Sequence, residues 1–319
     1  MVSATDLARG TSNGAVRRYR DAESALWHAY GIQPAERWIE LSDPAVRVRV
    51  VEAGSGDPVL MIPGTGGTGP YWAPLVRELT EHRCLMMDRP GWGLSSPVDY
   101  TADGYRSAVV RILSGLLDAL ELPRVDVVGA SIGALWALRL AQAQPSRVGK
   151  VVLLGGSPNR NVAIPTFIKL LRSPLGALMV RIPMKAGMLR KQLAALGHGA
   201  ALERGAMEDF IAWRLAFQRD TRSLHHERDM VRAIVGPGGF RPGITFEEGE
   251  LADLPHPALM VFGTEDPTGS ADVWRAFMDG LPHGELQLVP DAGHTPWWDS
   301  PSEVARHVRG FLARPAVGG

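Results

Sequence analysis

The chain of 319 residues is 45% hydrophobic and 21% charged, with 34 basic side chains balanced by 34 acidic ones. That composition belongs to a globular protein with a large core, and zero net charge excludes a global field able to recruit nucleic acid or an anionic membrane. A single cysteine, Cys84, excludes an intrachain disulfide and a metal cluster built on thiolates.

The partner expected of such a chain is a small molecule, with no nucleic acid and no membrane; oligomeric state is not legible. Arginine outnumbers lysine, which a GC-rich genome explains as well as any binding role does. The opening "MVSATDLARGTSNGAVRRYRDAE" lacks the apolar stretch of a secretory signal. Nowhere do eighteen apolar residues run together. A cytoplasmic protein is expected.

In chain order, residues 14–30 read as an amphipathic helix with Tyr19, Ala22, Leu26 and Trp27 at helical spacing, the core of an N-terminal extension over 1–33. "RWIELS" and "VRVRVVEAG" flank "DPA", two alternating runs around a turn, and predict an antiparallel hairpin. Short apolar runs follow at 58–62, 83–88, 125–129, 150–156, 257–263 and 285–289. Near-continuous apolar runs mark strands covered on both faces. Between them the spacing predicts helices over 73–81, 104–121, 132–144, 271–280 and 301–313. Strand alternating with helix implies an α/β fold with a mostly parallel sheet flanked by helices. About ninety residues between "LLGGSPN" and "HPALMVFG" carry helical periodicity and no convincing strand. This stretch, 157–250, is expected to form a helical cap inserted between two late strands, with 1–156 and 251–319 forming the core; His225 and His226 fall on one of its helix faces.

Ligands of open parallel sheets bind at the carboxyl ends of strands. After "VDVV" comes Gly129-Ala130-Ser131-Ile132-Gly133 and then a helical run, a G-x-S-x-G in the strand, turn, helix context that projects a serine above the sheet. A serine acting only as helix N-cap would use the same position. A serine nucleophile needs a histidine base, and the base needs a carboxylate to fix its tautomer. "TEDPTG" supplies Asp266, with Glu265 as the rival carboxylate, and "PDAGHTPWWDSP" supplies His294. The chain order Ser131, Asp266, His294, each after a predicted strand, is that of the α/β-hydrolase triad.

On these motifs the chain resembles the α/β-hydrolase superfamily, in its cap-bearing, esterase-like branch, over about residues 36–315. The resemblance implies an oxyanion loop after the third strand, here "IPGTGGTGPYW". Pro63 stands where the family usually has His, Gly64 matches, and the backbone amides of Thr65 and Ile132 are the implied oxyanion donors. "DRPGWGLSSP" matches the family's D-x-x-G-x-G-x-S loop, whose implied role is to support the oxyanion loop, and Asp88 receives no catalytic role. Epoxide hydrolases and haloalkane dehalogenases of the superfamily carry Asp at the elbow, where this chain has Ser131.

The activity expected is serine hydrolysis of a carboxylic ester, thioester or lactone through an acyl-enzyme, with no cofactor and no metal. The same triad serves cofactor-free C–C hydrolases, perhydrolases, acyltransferases and biosynthetic cyclases or lyases, and a binding protein that keeps the fold without turnover is a further alternative. Trp72, Trp92 and Trp297, near the loops, are expected to line the pocket and to favour an apolar substrate.

Overall fold

The computed structural model describes residues 12–156, 164–247 and 249–315. Helix α1 (Asn13–Ala29) starts at Ser12, whose hydroxyl accepts from the Ala15 N–H as an N-cap, and it buries Tyr19, Glu23, Leu26 and Trp27. Strands β1 (Ala35–Ser42) and β2 (Ala45–Ala53) form the expected antiparallel hairpin, in register from Ala35 opposite Glu52 to Ser42 opposite Ala45.

β3 (Asp57–Ile62), α2 (Ala73–Glu78), β4 (His82–Met87), α3 (Tyr105–Ala119), β5 (Val125–Ala130), α4 (Ile132–Ala143) and β6 (Val148–Leu154) follow. All seven residues of β6 are buried, as a strand covered on both faces requires. On one side this cover includes α4, whose residues from Ile132 to Ala141 are all buried. The helix expected over 73–81 stops at Glu78, because β4 begins at His82 and leaves no room for another turn.

Six helices come next: α5 (Thr166–Arg172), α6 (Gly176–Met179), α7 (Ala186–Ala195), α8 (Gly199–Glu203), α9 (Glu208–Asp220) and α10 (Ser223–Ile234). They occupy the stretch read as a cap, whose residues 157–163 and 248 lie outside the described set. This stretch also holds a ribbon of β7 (Val235–Gly236) and β8 (Gly239–Phe240), each strand too short to show any periodicity. His225 and His226 lie on α10. The chain then returns through β9 (Ala258–Gly263), α11 (Ala271–Asp279), β10 (Gly284–Val289), α12 (Pro296–Asp299) and α13 (Pro301–Leu312).

The main sheet has eight strands in the order β1-β2-β4-β3-β5-β6-β9-β10. β2 is antiparallel to β4, and every pair from β4 to β10 is parallel. Together these features make the α/β-hydrolase fold. Cys84 is buried in β4. Among the described residues no helix is long and apolar enough to cross a membrane.

α1 does more than lie against the body. Glu23 takes the Arg49 guanidinium on both oxygens (2.9 and 2.6 Å), and Arg49 also reaches Asp88 at 3.3 Å. Farther along, Tyr19 hydrogen-bonds Thr68 at 2.9 Å and Arg18 pairs with Asp220 of α9 at 2.6 Å. The helix therefore ties the loop after β3 to the inserted helices.

Candidate active site

At the end of β5 the backbone turns sharply. Ser131 has φ 51° and ψ −119°, outside the regions an L residue ordinarily occupies, and such strain persists only where the surroundings enforce it. The flanking glycines show what enforces it here. A Cβ on Gly133 would lie 2.0 Å from the Ile62 carbonyl oxygen, and one on Gly129 would lie 2.4 Å from the Gly133 oxygen. Only glycine lets α4 start this close to the sheet. Ser131 opens α4, yet its side chain makes no capping hydrogen bond, so helix capping does not account for it.

Two later strand ends converge nearby. His294 Nδ1 and Asp266 Oδ2 are 2.8 Å apart. Asp266 is buried and its carboxylate is saturated: Oδ2 also accepts from the Gly156 N–H (2.9 Å), while Oδ1 accepts from the Thr268 N–H (2.9 Å) and hydroxyl (2.8 Å). Burial works against the charged form of Asp266, but His294 and the Thr268 and Gly156 amides outweigh it and hold the carboxyl below its usual range. The imidazole behaves conversely: burial pulls His294 down, and the Asp266 charge and hydrogen bond carry it above its ordinary value. Glu265, the rival carboxylate, is exposed, and its Oε1 accepts from the Thr264 hydroxyl at 3.4 Å, while the imidazole pairs with Asp266.

The loop after β3 closes against the elbow. Gly64 packs so near that a Cβ on it would lie 3.1 Å from the Ser131 Cβ, and its carbonyl accepts from the Gly67 N–H at 3.1 Å in a tight turn. Pro63 leaves that turn intact. Thr65, Ile132, Ser131 and His294 all line one cavity of about 540 Å³.

Trp72, Trp92 and Trp297 do not line it, contrary to expectation. All three are 0% exposed. Trp72 and Trp297 stack on each other with centroids 5.0 Å apart, and Trp297 donates to the Tyr71 carbonyl at 2.9 Å. Trp92 donates to Glu227 Oε2 at 3.2 Å. Rings of this size close to loops serve as core beneath the site. The cavity takes its apolar wall from the inserted helices instead, from residues such as Phe167, Leu193, Phe210 and Ile234.

Two site residues carry no motif. Arg214, on α9, lines the cavity and is buried, and among the described residues its Nη1 has no hydrogen-bond partner and it forms no ion pair. Its guanidinium presses on Gly66, where a Cβ would lie 1.9 Å from Nη2. Among the described residues no aspartate or glutamate lines the cavity, and the nearest acidic influence on Arg214 is the field of Glu227 on α10. His198, at the start of α8, shares Asp299 Oδ2 with the Gly293 N–H (2.8 and 2.9 Å) and meets the Thr295 hydroxyl through Nε2 at 3.0 Å. His294 N–H donates to Leu196 O at 2.9 Å. The loop bearing His294 is thus pinned from the inserted segment on both sides of the imidazole. A lone arginine inside "IAWRLAF", an otherwise apolar run, was the one visible signal for Arg214; His198 had none.

Among the described residues no group of three or more His, Cys, Asp or Glu could hold a metal ion.

Known proteins resemble this arrangement along nearly the whole chain. Similar relatives include the 2-hydroxy-6-oxononadienedioate/2-hydroxy-6-oxononatrienedioate hydrolases of Paraburkholderia xenovorans and Dechloromonas aromatica, each 30% identical over 86% of this chain and 93% of their own length. Among solved structures, the 2-hydroxy-6-oxo-6-phenylhexa-2,4-dienoate hydrolase of a Rhodococcus strain superposes with a TM-score of 0.72 at 19% identity, covering 89% of this chain and all of that one. A Bacillus subtilis carboxylesterase superposes at 0.68 with 16% identity, over 94% of this chain and 99% of its own; at such identities the likeness speaks for the fold alone. The sequence matches the alpha/beta hydrolase family over residues 59–307, and the chain belongs to that family.

Proposed function

We propose that the chain is a cofactor-free serine hydrolase that cleaves a C–C bond next to a ketone in a small substrate bearing a carboxylate. The observation that carries this is Arg214: a buried guanidinium that, among the described residues, has no ion-pair partner and no acidic side chain beside it in the cavity wall, next to the loop that faces Ser131. A cation left unpaired in a ligand cavity is costly unless the ligand supplies the anion. The relatives' names agree with it, since a dienedioate hydrolase acts on a substrate with two carboxylates. The cavity volume, about 540 Å³, lies within the range of small-molecule sites.

In this scheme Ser131 Oγ adds to the ketone carbon while His294 takes its proton, and Asp266 holds the imidazole and stabilises its charge. The oxyanion that forms is met by the Thr65 and Ile132 amides, each donor worth roughly 3 kcal/mol in the transition state. The C–C bond then breaks heterolytically. Its electron pair passes to the leaving carbon, which survives as an anion only if conjugation spreads the charge towards an oxo-acid end, and His294 returns the proton there. Water activated by His294 hydrolyses the acyl-serine, giving one carboxylic acid and freeing Ser131. Arg214 serves by holding the acidic arm, and the inserted helices act as the cap that supplies the apolar wall.

Ester hydrolysis uses the same residues with an alcohol as leaving group. The two chemistries separate in one experiment. Purified protein is offered a 2-hydroxy-6-oxodienedioate, whose conjugated chromophore is lost on cleavage, and in parallel short p-nitrophenyl esters, with products resolved by mass. A kcat/KM for the dioate at least 100-fold above that for the esters supports the proposal. Ester turnover with the dioate untouched refutes it in favour of an esterase. In either case Ser131→Ala must abolish turnover.

A further inference from the structure

The peptide joining Gly64 to Thr65 presents a donor to one side and an acceptor to the other, because N–H and C=O of a trans peptide point in opposite directions. The N–H belongs to Thr65, the proposed oxyanion donor. On the opposite edge, the Gly64 oxygen accepts from the Gly67 N–H at 3.1 Å and from Arg89 Nη2 at 2.9 Å. Arg89 is fully buried, and among the described residues this is its guanidinium's only hydrogen bond to oxygen. The remaining contacts are soft: Nη1 lies 3.8 Å from the Met230 sulfur, and the guanidinium carbon sits 4.0 Å from the Trp92 ring centroid and 5.6 Å from that of Trp136. Its Nε has no partner, and it forms no ion pair among the described residues.

A guanidinium buried with so few partners is expensive, and this one is aimed at a single carbonyl. We propose that Arg89 is a positioning residue of the oxyanion hole: its charge-assisted bond to the Gly64 carbonyl fixes the plane of the Gly64–Thr65 peptide and polarises it, strengthening the Thr65 N–H as a donor. This rests on Ser131 being the nucleophile and Thr65 an oxyanion donor. Pulling electron density towards the carbonyl oxygen makes the amide hydrogen of the same peptide more positive, as in any chain of hydrogen bonds. The guanidinium itself adds a direct term. Two hydrogen bonds and one peptide separate it from the oxyanion, about 8 Å, which at an effective dielectric of about 20 amounts to roughly 30-fold in rate.

The same arginine leads outwards. Its loop is fastened to α10 of the inserted segment by Trp92 donating to Glu227 and by the Gly93 N–H donating to the Ser223 hydroxyl at 2.9 Å. Glu227 also favours the charged guanidinium, opposing the burial that disfavours it. The cap and the oxyanion hole thus meet at Arg89.

The test compares wild type with Arg89→Met and Arg89→Gln, which remove the charge at similar length. Three readouts are needed: kcat and KM on whichever substrate the wild type turns over, the rate of reaction with a fluorophosphonate, and the affinity of a boronic acid that becomes tetrahedral on the serine. Thermal denaturation establishes that each variant is folded, and Gln serves if Met is not. The expected result is kcat lowered roughly 10- to 50-fold, KM within about twofold, and fluorophosphonate reactivity and boronate affinity lowered by a similar factor. A folded variant with wild-type kcat, or with a loss confined to KM, overturns the proposal while leaving Ser131 as nucleophile. A wild type inert to both the fluorophosphonate and the boronic acid overturns the nucleophile itself, and the role of Arg89 falls with it.

Discussion

Replacing Arg214 by methionine should make the protein more stable and a poorer enzyme. The side chain is 7% exposed, Nη1 has no partner, and no ion pair among the described residues compensates the charge. Burial pulls the guanidinium below its ordinary value, with Glu227 acting in the opposite direction. The compensation left is that field and the face of Phe217, 4.7 Å away, worth about 0.5–2 kcal/mol. Exchanging a poorly compensated buried charge for an apolar side chain of similar length stabilises by about 1–3 kcal/mol, a rise in Tm of about 2–6 °C. A charge-assisted bond from Arg214 to a substrate carboxylate contributes about 1.5–3 kcal/mol, so kcat/KM for a dioate should fall roughly 10- to 150-fold. An uncharged p-nitrophenyl ester makes no such bond, and its kcat/KM should change less than about threefold. The assay is a thermal melt with both rate constants measured on one preparation of Arg214→Met. A lower Tm with equal losses on both substrates refutes the reasoning, and Arg214 is then a clamp between α9 and the loop at Gly66.

Asp266→Asn should lower kcat by about 10⁴ with the fold intact, whereas Glu265→Gln should leave it within about twofold, both read by steady-state kinetics and circular dichroism. Because the base must be neutral to take a proton and its pKa is raised, kcat/KM should fall on the acid side through a midpoint above the ordinary imidazole value of 6.5, and the pH profile of Asp266→Asn should show that limb moved to lower pH. The same shifts have opposite signs for stability: the raised His294 contributes below its unfolded pKa and loses that contribution as pH rises through the folded one, while the depressed Asp266 contributes above its unfolded pKa and loses it as pH falls. Burial pushes the Cys84 thiol up to about 12, so a disulfide reagent at neutral pH should titrate no thiol in the native protein and one after denaturation.

The sheet was legible because strands covered on both faces are written as unbroken apolar runs, and each of the six runs is a strand. The strand ends that carry Ser131, Asp266 and His294 were legible for a related reason: each follows such a run, and glycine marks the turns where backbone must pass close to backbone, as Gly133 does against the Ile62 oxygen. The tryptophans misled because position near a loop says nothing about depth. Trp72 and Trp297 lie under the loops, stacked on each other, and the cavity wall comes instead from helices whose placement depends on long-range packing. β7 and β8 are not legible either, since a strand of two residues carries no period. The choice between ester and C–C cleavage is not written in the Ser131, His294 and Asp266 positions at all, because both proposed chemistries begin with the same attack on a carbonyl.

Charge was the least legible property, for a physical reason. A net charge of zero rightly describes the field far from the surface, where opposite signs cancel and salt screens what remains. Inside the cavity that average has no meaning. Arg89 and Arg214 are both buried without ion pairs among the described residues, one behind the Gly64 carbonyl and one against Gly66, so the loop between them lies in a local positive field. The abundance of arginine over lysine, which composition alone gave no reason to weigh, acquires a role at these two positions. A guanidinium tolerates burial because its charge is delocalised, weakly hydrated and able to lie over aromatic rings, as Arg89 does over Trp92 and Arg214 over Phe217. An ammonium would be far harder to hold there. A reaction that develops negative charge on an oxygen, in a substrate that already carries a carboxylate, is the chemistry such a field favours.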